Sequence, residues 1–125
     1  YMKDTSSGAS HNSIGTNTNQ FGEFEVNGFQ SIVAITLDDL SEVKGILLPN
    51  HIKLDVDGRE LEILKGSSKL LLTIETILVE IEGSNRGENL KDIENLLSNA
   101  GLIEDTEWRD KGSGRNRLYK RDRNL

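Results

Sequence analysis

The chain has 125 residues, a formal net charge of −6 and no cysteine. These values exclude a disulfide framework, a thiolate metal site and a cysteine nucleophile, and the acidic balance argues against a nucleic-acid-binding protein. With 34% hydrophobic and 5% aromatic residues, we expect one core built mainly of Leu, Ile and Val. No apolar run has membrane-spanning length and no signal-peptide pattern is present, so we expect a cytoplasmic protein with no membrane or nucleic-acid partner.

The first part of the chain is polar and without periodicity. Residues 1–20 are rich in Ser, Gly, Asn and Thr, which predicts a loop or disordered entry segment before a partial α/β domain over residues 21–125. The β-branched run over residues 31–36 predicts a strand. Leu37 to Val43 then has the pattern of a short helix, with Thr36 or Asp38 as its N-cap.

A strand–turn–helix unit follows and organises the rest of the chain. Alternation over residues 52–56 predicts a strand that places Lys53 and Asp55 on the face opposite its apolar residues. Asp57 is placed to cap the next helix, with Glu60 three residues later in the pattern of a capping box. Gly66 predicts the end of that helix.

The remaining elements predict a mixed sheet. A second strand is predicted over 77–82, and the connection from the first strand is long enough for a parallel crossover. An amphipathic helix is predicted over 88–100. Strands over 102–107 and 116–121 have too short a link to be parallel, so we expect them to be antiparallel. The predicted class is α/β, with helices on the faces of the sheet and the last strand antiparallel.

Carboxylates gather at the carboxyl ends of the two parallel strands, where open α/β sheets bind ligands. Asp55, Asp57, Glu80 and Glu82 fall at or near these ends, and the candidate site residues are Asp55, Asp57 and Glu80, with Glu60 in support. They predict an acidic crevice that could orient a hydroxyl, act as a general base or hold a hard divalent cation. Alternatives remain open, because Asp57 and Glu60 are also explained by capping alone and Lys53 could form a buried ion pair with Asp55 or Glu80. Asp55 is the main candidate, because a mid-strand position gives it no capping role.

Several segments in the same order resemble the FkbM family of S-adenosylmethionine-dependent methyltransferases. They are T-L-D-D-L at 36–40, I-K-L-D-V-D-G-R-E at 52–60, I-L-K-G at 63–66 and I-L-V-E-I at 77–81. The resemblance implies the C-terminal half of a Rossmann-like methyltransferase fold. It also implies methyl transfer from S-adenosylmethionine to a hydroxyl of a sugar or secondary metabolite. Asp55 would be the base or substrate orienter, supported by Asp57, Glu60 and Glu80.

The family's cofactor site lies in an N-terminal strand and a glycine-rich turn, which we expect upstream of residue 1. The implied partners are a small-molecule or glycan acceptor and either the missing N-terminal half or a second copy. The strand at 52–56 would have an open edge unless residues 30–36 or another chain cover it. Two alternatives remain, namely a truncated non-catalytic remnant or interaction module, and an acidic cation-binding α/β domain.

Overall fold

The computed structural model describes residues 1–3, 15–19, 22–56, 58–81, 87–111 and 114–123. It divides the chain into two compact units, Tyr1–Ala34 and Ile35–Leu125. In the first unit, β1 (Thr18–Asn19) pairs with β2 (Gly22–Glu23) in antiparallel fashion. The backbone of Met2 also pairs with Gly28. These bonds join residues on both sides of position 20, so the structure divides the chain later than the sequence predicted.

The strand predicted over residues 31–36 is wrong, because these residues are described and form none. Ile32 and Val33 are 60% and 93% exposed. A β-branched run forms a strand only where a neighbouring strand and a packed face complete it. Intrinsic propensity alone was therefore misleading in this segment.

The second unit contains a four-stranded sheet in the order β3–β4–β6–β5. Its strands are β3 (His51–Leu54), β4 (Thr76–Glu80), β5 (Leu102–Glu104) and β6 (Asn116–Arg121). β3 and β4 are parallel, whereas β6 is antiparallel to both β4 and β5. The predicted α/β class with an antiparallel last strand is confirmed. β3 forms one edge of this sheet, and residues 30–36 do not pair with it.

The helices are α1 (Leu37–Ser41), α2 (Glu60–Lys65), α3 (Glu88–Asn99) and α4 (Thr106–Lys111), with a 3-10 turn at Leu70–Leu72. The strand predicted through residue 107 ends at Glu104 instead. Asp105 Oδ1 accepts the Trp108 N–H at 3.0 Å, which is the bond that starts a helix rather than extends a strand. None of the helices in the described part of the chain has both the length and the apolar character that a membrane crossing requires.

One face of the sheet and the helices share a single apolar core. Alternation along β4 buries Ile77 and Val79, while its other residues are only half-buried. These two side chains belong to one buried cluster with Leu64 of α2 and with Ile93 and Leu97 of α3. The residues between the buried ones in β3 and β4 therefore occupy the opposite face of the sheet.

Polar side chains hold the ends of several elements together. Arg121, the last residue of β6, donates hydrogen bonds to the carbonyls of Leu71, Ile74 and Ala100. A guanidinium suits this position because its donors form a planar fork that can serve several acceptors. The C-terminal end of α3 and the 3-10 turn are thereby fixed to the sheet.

The T-L-D-D-L segment joins α1 to the 3-10 turn. Thr36 is the N-cap, since its hydroxyl accepts the Asp39 N–H at 3.0 Å. Asp38 instead accepts the N–H groups of Lys69 and Leu70, each at about 3.0 Å. Although partial desolvation opposes ionisation, these hydrogen bonds lower the pKa of Asp38. The second capping candidate thus caps the following turn rather than its own helix.

Candidate functional site

Lys53 and Asp55 form an ion pair at the carboxyl end of β3. Lys53 Nζ lies 2.6 Å from Asp55 Oδ2, and the two side chains are 62% and 39% exposed. The alternative of a buried pair between these two residues is therefore wrong. The predicted mid-strand position of Asp55 is also wrong, because β3 ends at Leu54 and Asp55 follows it directly.

Glu80 brings a second carboxyl group to the same place. Leu54 is aligned with Val79 in the parallel pair, so Asp55 and Glu80 follow side by side. The Asp55 and Glu80 side chains are in hydrogen-bonding contact. Glu82 lies outside the described residues. The structure thus brings together two of the four predicted site residues.

The surroundings keep Asp55 ionised. The hydrogen bond from Lys53, followed by that with Glu80, lowers the pKa of Asp55, and the nearby charges of Lys53 and Arg115 act in the same direction. The contact with Asp55 in turn raises the pKa of Lys53. A carboxylate with a lowered pKa is a weak proton acceptor but a good hydrogen-bond acceptor. This arrangement favours an orienting role for Asp55 over proton abstraction.

Arg115 is the residue near this site that the sequence prediction missed. Its carbonyl accepts the Ile81 N–H at 2.6 Å, and the next residue, Asn116, is aligned with Glu80. Antiparallel pairing places the start of β6 beside the end of β4, and this brings Arg115 to the two carboxyl groups. The available signal was the antiparallel last strand, whose first residues must lie at the carboxyl end of a parallel neighbour.

Glu60 has a different environment from Asp55. It is 1% exposed, and its Oε1 accepts the N–H groups of Val56 at 3.2 Å and Gly58 at 3.3 Å. Gly58 has φ of 100°, a conformation that glycine adopts without strain. These bonds close the turn between β3 and α2 and favour a structural role for Glu60. Asp57, the other half of the predicted capping box, lies outside the described residues.

In the part of the chain that the structure describes, no set of side chains is arranged to bind a metal ion. No group of three or more His, Asp or Glu side chains is close enough there to hold an ion. His51 Nδ1 lies 2.9 Å from Thr76 Oγ1, a contact between two polar side chains across β3 and β4.

An apolar groove of about 190 Å³ lies beside β3. Leu37, Leu40, Ile52 and Leu70 contribute to its lining. Among the side chains of this lining only Ser41 has a polar group, its hydroxyl, and none has a charge. The charged cluster at the strand ends is therefore the better candidate site.

The mixed sheet with a charged cluster at its parallel strand ends defines an α/β protein with a methyltransferase-like fold. The chain matches the model of the methyltransferase FkbM domain over residues 2–103, and it therefore belongs to this family. The resemblance noted over residues 36–82 is confirmed.

A curated relative, the hexuronic acid methyltransferase AglP of Haloferax volcanii, is 40% identical to the chain over 75 residues. The aligned part covers 60% of this chain and 30% of the relative. The chain thus spans less than a third of the length of the relative that it matches. No solved structure matches the chain.

Proposed function

We propose that the chain is the acceptor-binding part of an S-adenosylmethionine-dependent methyltransferase that acts on a hydroxyl of a sugar. The proposal rests on the Lys53–Asp55–Glu80 cluster at the carboxyl ends of two parallel strands in a member of a methyltransferase family. The name of the curated relative, which acts on hexuronic acid, supports a sugar as the acceptor.

Asp55 acts in this proposal by positioning the acceptor. Its carboxylate accepts a hydrogen bond from the sugar hydroxyl and fixes the direction of the oxygen lone pair, while Lys53 keeps the carboxylate ionised. Holding two reacting groups in line is a large part of the catalysis of a displacement reaction. S-adenosylmethionine, when bound, would supply the methyl group and leave as S-adenosylhomocysteine, and the proton of the hydroxyl would pass to water, which reaches the exposed Asp55.

The turn after β3 does not fit a cofactor cradle. Turns that bind cofactors after a strand present free backbone N–H groups to the ligand. Here the N–H groups of Val56 and Gly58 are already bound by Glu60. We therefore assign the Lys53–Asp55–Glu80 cluster to the acceptor rather than to the cofactor.

The test is methyl transfer from labelled S-adenosylmethionine to a sugar by the complete gene product that contains these 125 residues. For Asp55→Asn we expect kcat/KM to fall about 10- to 100-fold, as for the loss of one hydrogen bond to a charged group. Asp92→Asn, which changes an exposed carboxylate of α3, is the matched control and should stay within about twofold of the wild type.

Two results would contradict the proposal. One is a complete gene product that transfers methyl groups to no sugar, or that gives no heat with S-adenosylmethionine in calorimetric titration. The other is an Asp55→Asn variant as active as Asp92→Asn. The first result would favour the alternative of a non-catalytic interaction module.

A further inference from the structure

An Asn–Gly pair lies where two segments of the first unit are joined. Asn27 is exposed and Gly28, which follows it, is half-buried. The N–H of Asn27 donates to the carbonyl of Met2 at 2.9 Å, and the N–H of Met2 donates to the carbonyl of Gly28 at 2.7 Å. The two hydrogen bonds thus lie at the two ends of the dipeptide, and the length of backbone between them decides whether both can form.

The side chain of Asn27 adds a third hydrogen bond to the same junction. Its Nδ2 donates to the carbonyl of Lys3 at 2.7 Å. An aspartate in this position could not replace that bond, because an ionised carboxylate only accepts hydrogen bonds. Conversion of the amide to a carboxylate would therefore place two acceptors against each other.

The glycine that follows makes this amide reactive. In an Asn–Gly pair the glycine nitrogen can reach the side-chain Cγ of the asparagine, because glycine has no Cβ to hinder the approach and its backbone adopts many conformations. A bond forms between the Gly28 nitrogen and Asn27 Cγ, the Gly28 nitrogen loses its proton, and Nδ2 leaves as ammonia. Water then opens the five-membered imide at one of its two carbonyls and gives aspartate or isoaspartate.

We propose that Asn27 is a deamidation site that is protected while Met2 is paired with Gly28 and reacts when this pairing opens. Ring closure changes the direction of the backbone between Asn27 and Gly28, and the two hydrogen bonds to Met2 oppose that change. Isoaspartate carries the main chain through the side-chain carbon and adds one CH₂ group between these bonds. The modification therefore prevents the original pairing of Met2 from forming again.

Peptide mapping by mass spectrometry tests the proposal on the complete gene product. The protein is incubated at mildly alkaline pH in buffer and in urea, and the mass gain of the peptide that contains Asn27 is followed with time. We expect the reaction to be about 10-fold or more slower in buffer than in urea, because three hydrogen bonds must first be lost. Asn99 is exposed and precedes Ala100, so in urea it should react more slowly than Asn27.

Two variants separate the pairing from the chemistry of the dipeptide. Met2→Pro removes the N–H that bonds Gly28, so Asn27 should react faster than in the wild type in buffer and at the same rate in urea. Glu25→Gln changes an exposed side chain of the same segment and should leave both rates unchanged. Gly28→Ala adds the missing Cβ and should slow the reaction in urea.

Three outcomes would overturn the inference. Equal rates at Asn27 in buffer and in urea would show that the pairing gives no protection. A Met2→Pro variant that reacts no faster than the wild type in buffer would show that this pairing is not what controls the reaction. Reaction of Asn27 in urea no faster than that of Asn99 would remove the special reactivity of the dipeptide. None of these measurements depends on methyl transfer, so the proposed function is tested separately.

Discussion

Glu60 is the residue whose replacement best distinguishes structure from catalysis at this site. It was predicted as a supporting catalytic carboxylate, yet it is 1% exposed and accepts two backbone N–H groups of the turn after β3. If the role of Glu60 is to accept these two hydrogen bonds, Glu60→Ala must destabilise the fold. Glu60→Gln, which keeps an acceptor oxygen in the same place, must do so less.

The size of the effect follows from the two N–H groups. A buried donor that loses its acceptor costs about 1–3 kcal/mol. Val56 is 38% exposed, so water can reach part of this turn and the lower half of that range applies to each group. We expect the free energy of unfolding to fall by about 2–4 kcal/mol in Glu60→Ala and by about 1–2 kcal/mol in Glu60→Gln.

Urea unfolding measures both variants against a control on the same helix. Glu62 is exposed, and its Oε1 lies 3.3 Å from Arg59 Nη1, so Glu62→Ala should cost about 0.5 kcal/mol or less. The reasoning fails if Glu60→Ala unfolds like Glu62→Ala. It also fails if Glu60→Gln loses about 100-fold in kcat/KM without a change in stability, because that result would make Glu60 catalytic.

Three further predictions concern the polar contacts that hold element ends. Arg121→Gln should lower the free energy of unfolding, measured with urea, by about 2–4 kcal/mol, since it removes donors from three backbone carbonyls. Arg121→Lys should recover only part of this lost stability. Gly101→Ala should cost about 1–2 kcal/mol, since Gly101 has φ of 76° and a Cβ there would lie 3.1 Å from Arg121 Nη1. Asp38→Ala should cost about 1 kcal/mol at neutral pH, as for a lost cap. Because the pKa of Asp38 is lowered, its contribution to stability is present above the ordinary pKa of aspartate and is lost as the pH falls through the lowered value. The unfolding curves of the wild type and the variant should therefore converge in strong acid.

The order and pairing of the main elements could be predicted because they depend on local signals. Alternation placed β3 and β4, the long connection made them parallel, and the short link before β6 made it antiparallel to β5. The strand predicted over 31–36 failed because β propensity does not supply a pairing partner. The predicted end of β5 was wrong because Asp105 starts a helix. From the sequence alone, Asp105 could equally have continued the strand.

The candidate site was predictable only in part. Asp55 and Glu80 follow from the rule that ligands bind at the carboxyl ends of parallel strands. Arg115 could not be placed without the register that aligns Asn116 with Glu80. For Glu60, the capping pattern showed which backbone region it would contact. Whether this carboxylate is available to a ligand depends on its burial, which is set by tertiary packing and cannot be read from the local sequence.

Asp55 and Glu60, the two described carboxylates of the turn after β3, have different roles, and the role of Asp55 depends on that of Glu60. Glu60 binds the backbone of Val56 and Gly58 from inside, whereas Asp55, directly before Val56, is exposed and bound by Lys53. Because the backbone that Glu60 holds is continuous with Asp55, a looser turn allows Asp55 to move away from Glu80. The orienting role proposed for Asp55 therefore depends on the buried bonds of Glu60, even though Glu60 itself does not need to contact the acceptor.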